Sequence, residues 1–332
     1  MPPRLLLTLL VVVVGLAGCG GGGEAPAPGA AQQPVAALED AYNRVVEAVS
    51  PSVVQIETRR GLGSGVVLDH DGHIVTNAHV VGDADRFIVT LASGKRADGT
   101  LVGTWTPGDL AVIRVQTAGL RPVTLADSAK LKVGDIVMAL GNPLGLRSSV
   151  TQGIVSSLGR TVSEGSSGAS INAAIQTSAA INPGNSGGAL VDLRGRLVGI
   201  PTLAARDPQL GGGQAPGIGF AIPSNTVKSI ARQLIDDGHV TASGRGSLGI
   251  RAATVTGGGV VIVDVEAGGP ADRAGLRRGE IIVALNGEPT PDVNTLTTRL
   301  AALEPGQDVK VTVREADGER HERTVRLGDL GD

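Results

Sequence analysis

The chain has 332 residues, 41% of them apolar, and a formal net charge of -3. That length suits two domains, and the balance excludes both a disordered chain and a nucleic-acid partner held by bulk electrostatics. With 50 glycines against one Trp, one Tyr and two Phe, many turns around an aliphatic core are expected, which suits β-barrels better than helical bundles.

Residues 1–18 have the form of a signal peptide: Arg4 gives the positive start, Leu5 to Leu16 the apolar run, and small residues follow. The run is too short for an ordinary spanning helix. It ends in Leu16-Ala17-Gly18-Cys19, which resembles a bacterial lipobox and implies cleavage before Cys19 and lipidation of its sulfur. Cys19 is the only cysteine, so no intramolecular disulfide can form. Residues 19–36, rich in Gly, Ala, Pro and Gln, read as a flexible tether reaching on the order of 20 Å from a membrane surface outside the cytoplasm. From Leu38 to Val49 the apolar residues Leu38, Ala41, Tyr42, Val45, Val46 and Val49 recur at helical spacing, and Pro51 ends the segment.

Short β-type runs follow, separated by Gly, Asp and Asn turns: Val53 to Thr58, Gly65 to Leu68, Ile74 to Thr76, Phe87 to Leu91, Thr100 to Thr104, Leu110 to Val115, Ile136 to Leu140 and Gly153 to Leu158. The spacing predicts an all-β barrel. Asp69-His70-Asp71-Gly72-His73 reads as a hairpin tip rather than a metal site, because Asp-Gly sits between two strand runs. Thr161 to Ser170 and the Gly- and Pro-rich Ala205 to Gly217 read as loops. Ser224 is the expected N-cap of a helix that buries Val227, Ile230, Ala231, Leu234 and Ile235 and ends near Gly238. Val240 to Gly246 reads as a short polar link to a second domain.

Three segments carry candidate chemistry. In Asn182-Pro183-Gly184-Asn185-Ser186-Gly187-Gly188, small residues leave one hydroxyl unobstructed. Glycines there let the amides of Gly184 and Ser186, on either side of Asn185, point at one spot suited to a developing oxyanion. A serine is a poor nucleophile at neutral pH and needs a histidine base oriented by a carboxylate. His79 closes the run Ile74-Val75-Thr76-Asn77-Ala78, and Asp109 directly precedes Leu110 to Val115. Each alone has a plain structural reading as a tight turn, a core histidine or a turn acid. Together, in the order His, Asp, Ser, they match the chymotrypsin arrangement rather than that of subtilisin or the α/β-hydrolases.

These segments, with Gly61-Leu62-Gly63-Ser64-Gly65, Gly141-Asn142-Pro143-Leu144-Gly145 and Gly219-Phe220-Ala221-Ile222-Pro223, resemble the HtrA/Deg family of trypsin-like serine proteases. Ser247-Leu248-Gly249-Ile250, Gly269-Pro270-Ala271-Asp272-Arg273-Ala274-Gly275-Leu276 and Leu285-Asn286-Gly287 resemble a bacterial PDZ domain. The resemblance implies a mainly β fold: a chymotrypsin-like double barrel over 37–239, then a small α+β PDZ domain over 245–330. It implies catalysis by His79, Asp109 and Ser186, an oxyanion hole at Gly184, Asn185 and Ser186, and a substrate pocket from Ile181, Ala180, Ile200 and Thr202. Arg160 would belong to a loop relaying ligand occupancy to the oxyanion hole, and Leu248, Gly249 and Ile250 would receive a peptide's C-terminal carboxylate. Implied partners are unfolded polypeptides or protein C-termini, the membrane through the lipid anchor, and two further copies in a homotrimer; Tyr42 either makes a subunit contact there or belongs to a helix packed on its own barrel. No nucleotide-binding signature, HExxH or paired Cys/His spacing is present, so neither an energy cofactor nor a metal is expected. A lipid-anchored chaperone or peptide sensor with little proteolysis is the competing reading. Departures from the family pattern are Leu144 for an aromatic, Ser178 for an aspartate and Pro201 for an asparagine.

Overall fold

Near-continuous apolar runs such as Leu110-Ala111-Val112-Ile113 do not alternate as a half-buried strand would, and the fold explains why. In the computed structural model, which describes residues 32–59, 61–142, 149–163, 169–182, 184–207, 213–315 and 318–331, these strands are buried on both faces. Strands β1 (Val53–Glu57), β2 (Leu62–Val67), β3 (His73–Thr76), β4 (Arg86–Thr90), β5 (Arg96–Trp105) and β6 (Leu110–Val115) form a closed barrel in the order β1-β2-β3-β6-β5-β4. Along β6, Ala111, Ile113 and Val115 fill the barrel interior with Val54, Ile56 and Ile74. Leu110 and Val112 face the other way, into a second cluster with Met138, Leu140, Ile200 and Ile222. A period of two therefore sorts one strand between two cores.

The second sheet contains β7 (Thr124–Leu125), β8 (Ile136–Gly141), β9 (Ser149–Ser163), β10 (Ser170–Thr177), β11 (Ala189–Asp192), β12 (Arg196–Asp207) and β13 (Gly213–Pro223). Its order is β11-β8-β9-β10-β13-β12-β7, and the additional β11–β12 pairing closes it on itself. Its interior holds Val137, Ala139, Ile175, Ile181, Leu190, Val198 and Ala221. The shared cluster between the barrels is joined by Val227, Ile230, Ala231 and Leu234 of helix α3 (Ser224–Asp237). Helix α1 (Gln32–Val49) adds Val45 and Val49, with Tyr42 half-buried beside them, while the short α2 (Ala78–Val81) carries His79. Residues up to Asp40 form a unit of their own, of which the described part is the N-terminal half of α1; Ala41–Asp332 form the other.

The second domain contributes β14 (Gly246–Ser247), β15 (Ile250–Thr254), β16 (Val260–Val265), β17 (Ile281–Leu285), β18 (Glu288–Pro289), β19 (Asp308–Arg314), β20 (Arg320–Arg326) and β21 (Gly328–Asp329). Helices α4 (Pro270–Arg273) and α5 (Val293–Ala301) complete it. The main sheet runs β15-β16-β17-β19-β20, so β15 is an edge strand. Asp292 caps α5, its carboxylate accepting from Thr295 N at 2.7 Å, and Leu296 buries the helix against Val309, Val311 and Val325.

Several expectations are corrected. Helix α1 starts at Gln32, so residues 32–36 are helix and not tether; Pro34 lies in the first turn, where a missing N–H leaves no helical bond unmade. The signal peptide, Cys19 and the rest of the tether lie outside the described residues. Of the loops expected at Thr161 to Ser170 and Ala205 to Gly217, residues 161–163, 170, 205–207 and 213–217 are strand, because β9 continues to Ser163 and Arg206 pairs with Gln214, while 164–168 and 208–212 lie outside the described residues. Ser224 does not cap α3: it is the first helical residue, and its hydroxyl donates to Ala126 O at 2.8 Å. Tying β7 to the helix takes precedence over satisfying its first amides. The Asp69 stretch is a hairpin tip, with Asp69 Oδ1 accepting from Asp71 N and His73 N at 3.0 Å and Gly72 at φ 95°.

Candidate active site

The candidate histidine and acid come from the two ends of adjacent strands. His79 follows β3, and Asp109 sits just before β6, which pairs with β3 through Thr76↔Ala111. Thr106–Gly108 form a single 3-10 turn, and Asp109 closes it in the left-handed region, at φ 56° and ψ 43°. Its amide donates to Thr106 O at 3.1 Å and its carbonyl accepts from Asn77 Nδ2 at 3.0 Å. A short polar side chain tolerates that backbone better than most.

Asp109 is 2% exposed, yet three donors converge on its carboxylate. His79 N donates to Oδ1 at 3.0 Å, and His79 Nδ1 lies 2.9 and 3.0 Å from Oδ2 and Oδ1. Thr202 Oγ1 donates to Oδ2 at 2.5 Å. A carboxylate only accepts, so Nδ1 carries the ring proton and Nε2 is the basic nitrogen.

Ser186 belongs to the turn entering β11, in the second barrel. Its hydroxyl donates to Thr202 O at 3.1 Å, so the one residue Thr202 meets Ser186 through its carbonyl and Asp109 through its side chain. The turn is fixed from both barrels: Ser64 N donates to Ser186 O at 3.1 Å and Gly187 N to Pro201 O at 3.0 Å. Ser64, fully buried, donates through Oγ to Gly184 O at 2.5 Å and accepts from Asn142 N at 2.8 Å. Asn185 is buried, and its Nδ2 donates to Ala180 O at 3.2 Å. Among the described residues the amides of Gly184 and Ser186 have no backbone acceptor.

Ile181 is 4% exposed, and a Cβ at Gly219 would stand 2.4 Å from its Cγ1, so these two residues press together below the serine turn. Ala180 is exposed at the surface beside them. Ile200 is corrected: its side chain is fully buried with Leu197 in the cluster between the barrels while Val198 enters the second barrel, because the register of β12 on β11 shifts by one residue between Leu197 and Gly199 and breaks the alternation. It cannot line a substrate pocket. Ser178 accepts from Ile154 N through its hydroxyl at 3.0 Å, which pins β9. Leu144 lies outside the described residues, and Arg160 stands exposed on β9 opposite Ala174.

In the second domain Leu248 is buried and Gly249 adopts φ 65°, immediately before edge strand β15, with α5 beside it. Gly249 N already donates to Ser247 Oγ at 3.1 Å, so a bound carboxylate would compete for that amide. Sequence reasoning missed Ser64 and Asn77, and it assigned Thr202 only to substrate. The glycines around Ser64 were the available signal, since a Cβ at Gly65 would stand 2.6 Å from Ile74 Cγ2.

Residues 63–200 match the trypsin-like peptidase domain and residues 246–327 the PDZ domain. The chain is 40% identical over 264 residues to the periplasmic pH-dependent serine endoprotease DegQ of Escherichia coli, covering 76% of this chain and 56% of DegQ. It is 38% identical over 326 residues to the serine protease PepD of Mycobacterium tuberculosis, covering 92% of this chain and 68% of PepD. Among solved structures it is similar to the serine endoprotease from Yersinia pestis, with 34% identity, a TM-score of 0.58 and coverage of 87% of this chain and 98% of that one. It is also similar to the HtrA-type protease AlgW with decapeptide, with 31% identity, a TM-score of 0.59 and coverage of 87% and 98%. Two closed barrels, a histidine held by a buried acid, and a PDZ domain after them all agree with these matches: the chain belongs to the HtrA/Deg family of serine proteases.

Proposed function

We propose that the chain is an ATP-independent serine endopeptidase of the cell envelope that cleaves misfolded or signalling proteins. The observation that carries this is Asp109, bonded directly to His79 and linked through Thr202 to Ser186. In the reaction Ser186 Oγ turns from the Thr202 carbonyl toward His79 Nε2, gives up its proton and attacks the scissile carbonyl. Asp109 stabilises the imidazolium that forms, and the amides of Gly184 and Ser186 hold the oxyanion. His79 then protonates the leaving amine, and water hydrolyses the acyl-enzyme by the same route reversed.

The PDZ domain selects exposed C-termini by adding them as a strand to β15, with α5 as the other wall. DegQ is named periplasmic, which supports a location outside the cytoplasmic membrane, with Cys19 as the point of lipid attachment. Family resemblance supports a homotrimer. The neutral side chains of Ile181 and Ala180 favour small aliphatic residues on the acyl side of the cut; a cleavage profile dominated by Lys or Arg would contradict this. The decisive test is incubation of the chain with unfolded casein and, separately, with a fluorophosphonate probe. Casein should be degraded and the probe recovered on Ser186; intact casein together with no labelled serine would refute the reading.

A further inference from the structure

The segment read as a polar link is fastened at both ends. Val240 is 1% exposed and packs in the cluster between the barrels, and Arg245 is 4% exposed. The Arg245 guanidinium carbon stands 5.2 Å from the centroid of the Trp105 ring, and Nη1 donates to Pro107 O at 2.8 Å. Pro107 lies in the 3-10 turn that sets the left-handed backbone of Asp109. Trp105 begins that turn and lies flat against its end: a Cβ at Gly108 would stand 1.9 Å from Trp105 Cζ3. The turn carrying the acid thus packs on the indole and is bonded by the guanidinium that stacks over the same ring.

The backbone of the same arginine belongs to the PDZ side. Leu330 N donates to Arg245 O at 2.7 Å, and Gly246 N donates to Leu303 O, just past α5, at 2.8 Å. Asp329 accepts from Ser243 N and Oγ at 2.7 and 2.8 Å and from Gly244 N at 3.1 Å, while β14 pairs with β21 through Gly246↔Asp329. Arg245 Nε and Nη2 have no hydrogen-bond partner among the described residues, and burial lowers the guanidinium to about 10, still protonated at neutral pH. A strut that only filled space would be better served by an apolar side chain, because a buried cation with unpaired N–H groups opposes folding. What an apolar residue cannot supply is the directed bond to Pro107.

We propose that Arg245 is a positioning residue for Asp109, transmitting the placement of the PDZ domain to the acid that orients His79. This rests on the peptidase reading above. Arg245 touches neither substrate nor reacting atoms; it holds the turn that holds the acid, so its loss should act on turnover rather than on substrate binding.

The experiment compares the full chain with Arg245→Met, which keeps length and packing but donates nothing, and Arg245→Lys, which keeps a charged donor. Each is assayed on unfolded casein for kcat and KM, with melting followed through the emission of Trp105, the only tryptophan. Arg245→Met should lower kcat about tenfold with KM within about twofold, and Arg245→Lys should recover kcat to within about threefold of wild type. Equal kcat in all three proteins would overturn the positioning role, as would a loss in Arg245→Met fully accounted for by its unfolded fraction at the assay temperature. A wild-type chain that leaves casein intact would instead overturn the peptidase reading, and this inference with it.

Discussion

Asp109→Asn is expected to lower kcat by about four orders of magnitude with little change in KM. The carboxylate receives three donors, His79 N, His79 Nδ1 and Thr202 Oγ1, at 3.0, 2.9 and 2.5 Å. An asparagine offers one oxygen and must aim its NH2 at a donor or turn it toward His79 Nδ1. In the second case the imidazole shifts its proton to Nε2, and the nitrogen facing the nucleophile can no longer accept. In the first case a buried donor is left facing another donor, at about 1–3 kcal/mol. Steady-state kinetics on casein with a melting curve checks this: a variant that melts like wild type and keeps more than about a tenth of its kcat would remove Asp109 from the proposed role.

Gly187→Ala should cost about 2–4 kcal/mol of stability and at least a hundredfold in kcat. Gly187 has φ 78°, and its missing Cβ would stand 2.3 Å from both Ser64 O and Thr76 Oγ1. These two atoms are already bonded to each other at 2.7 Å, fully buried, with no direction in which to yield. The added methyl therefore drives the serine turn away from the first barrel, and the Ser64 N to Ser186 O bond at 3.1 Å goes with it. Gly61→Ala is the control: nothing among the described residues stands within 4 Å of its Cβ, so stability should hold within about 0.5 kcal/mol. Thermal melting and the rate of fluorophosphonate labelling at Ser186 separate the two. Wild-type labelling in Gly187→Ala would mean that the turn is not held as described.

Much of the fold was legible in the chain because its signals are local. Aliphatic runs of four to six residues between glycine turns marked the strands of both barrels, and the residue types at 79, 109 and 186 each carried part of one chemical requirement. Helix α3 was legible from its periodic apolar face, and its end from Gly238 at φ 78°. Even the error at Ser224 was a local one: the residue has the right type for a cap, but a carbonyl from β7's neighbourhood, Ala126, claimed its hydroxyl.

The tertiary structure decided what depends on residues brought together from far along the chain. Sequence by itself determined that a serine, a histidine and an acid were present in protease order on a β scaffold with a PDZ domain behind it. It could not determine that Thr202 would reach an acid 93 positions away, that Ile200 would face the neighbouring barrel, or that an arginine in a nominal linker would be buried on Trp105. Periodicity specifies which side of a strand a residue takes, but not which of two cores lies on that side. Hydrogen-bond partners are fixed only when closed sheets set the distance between distant backbones.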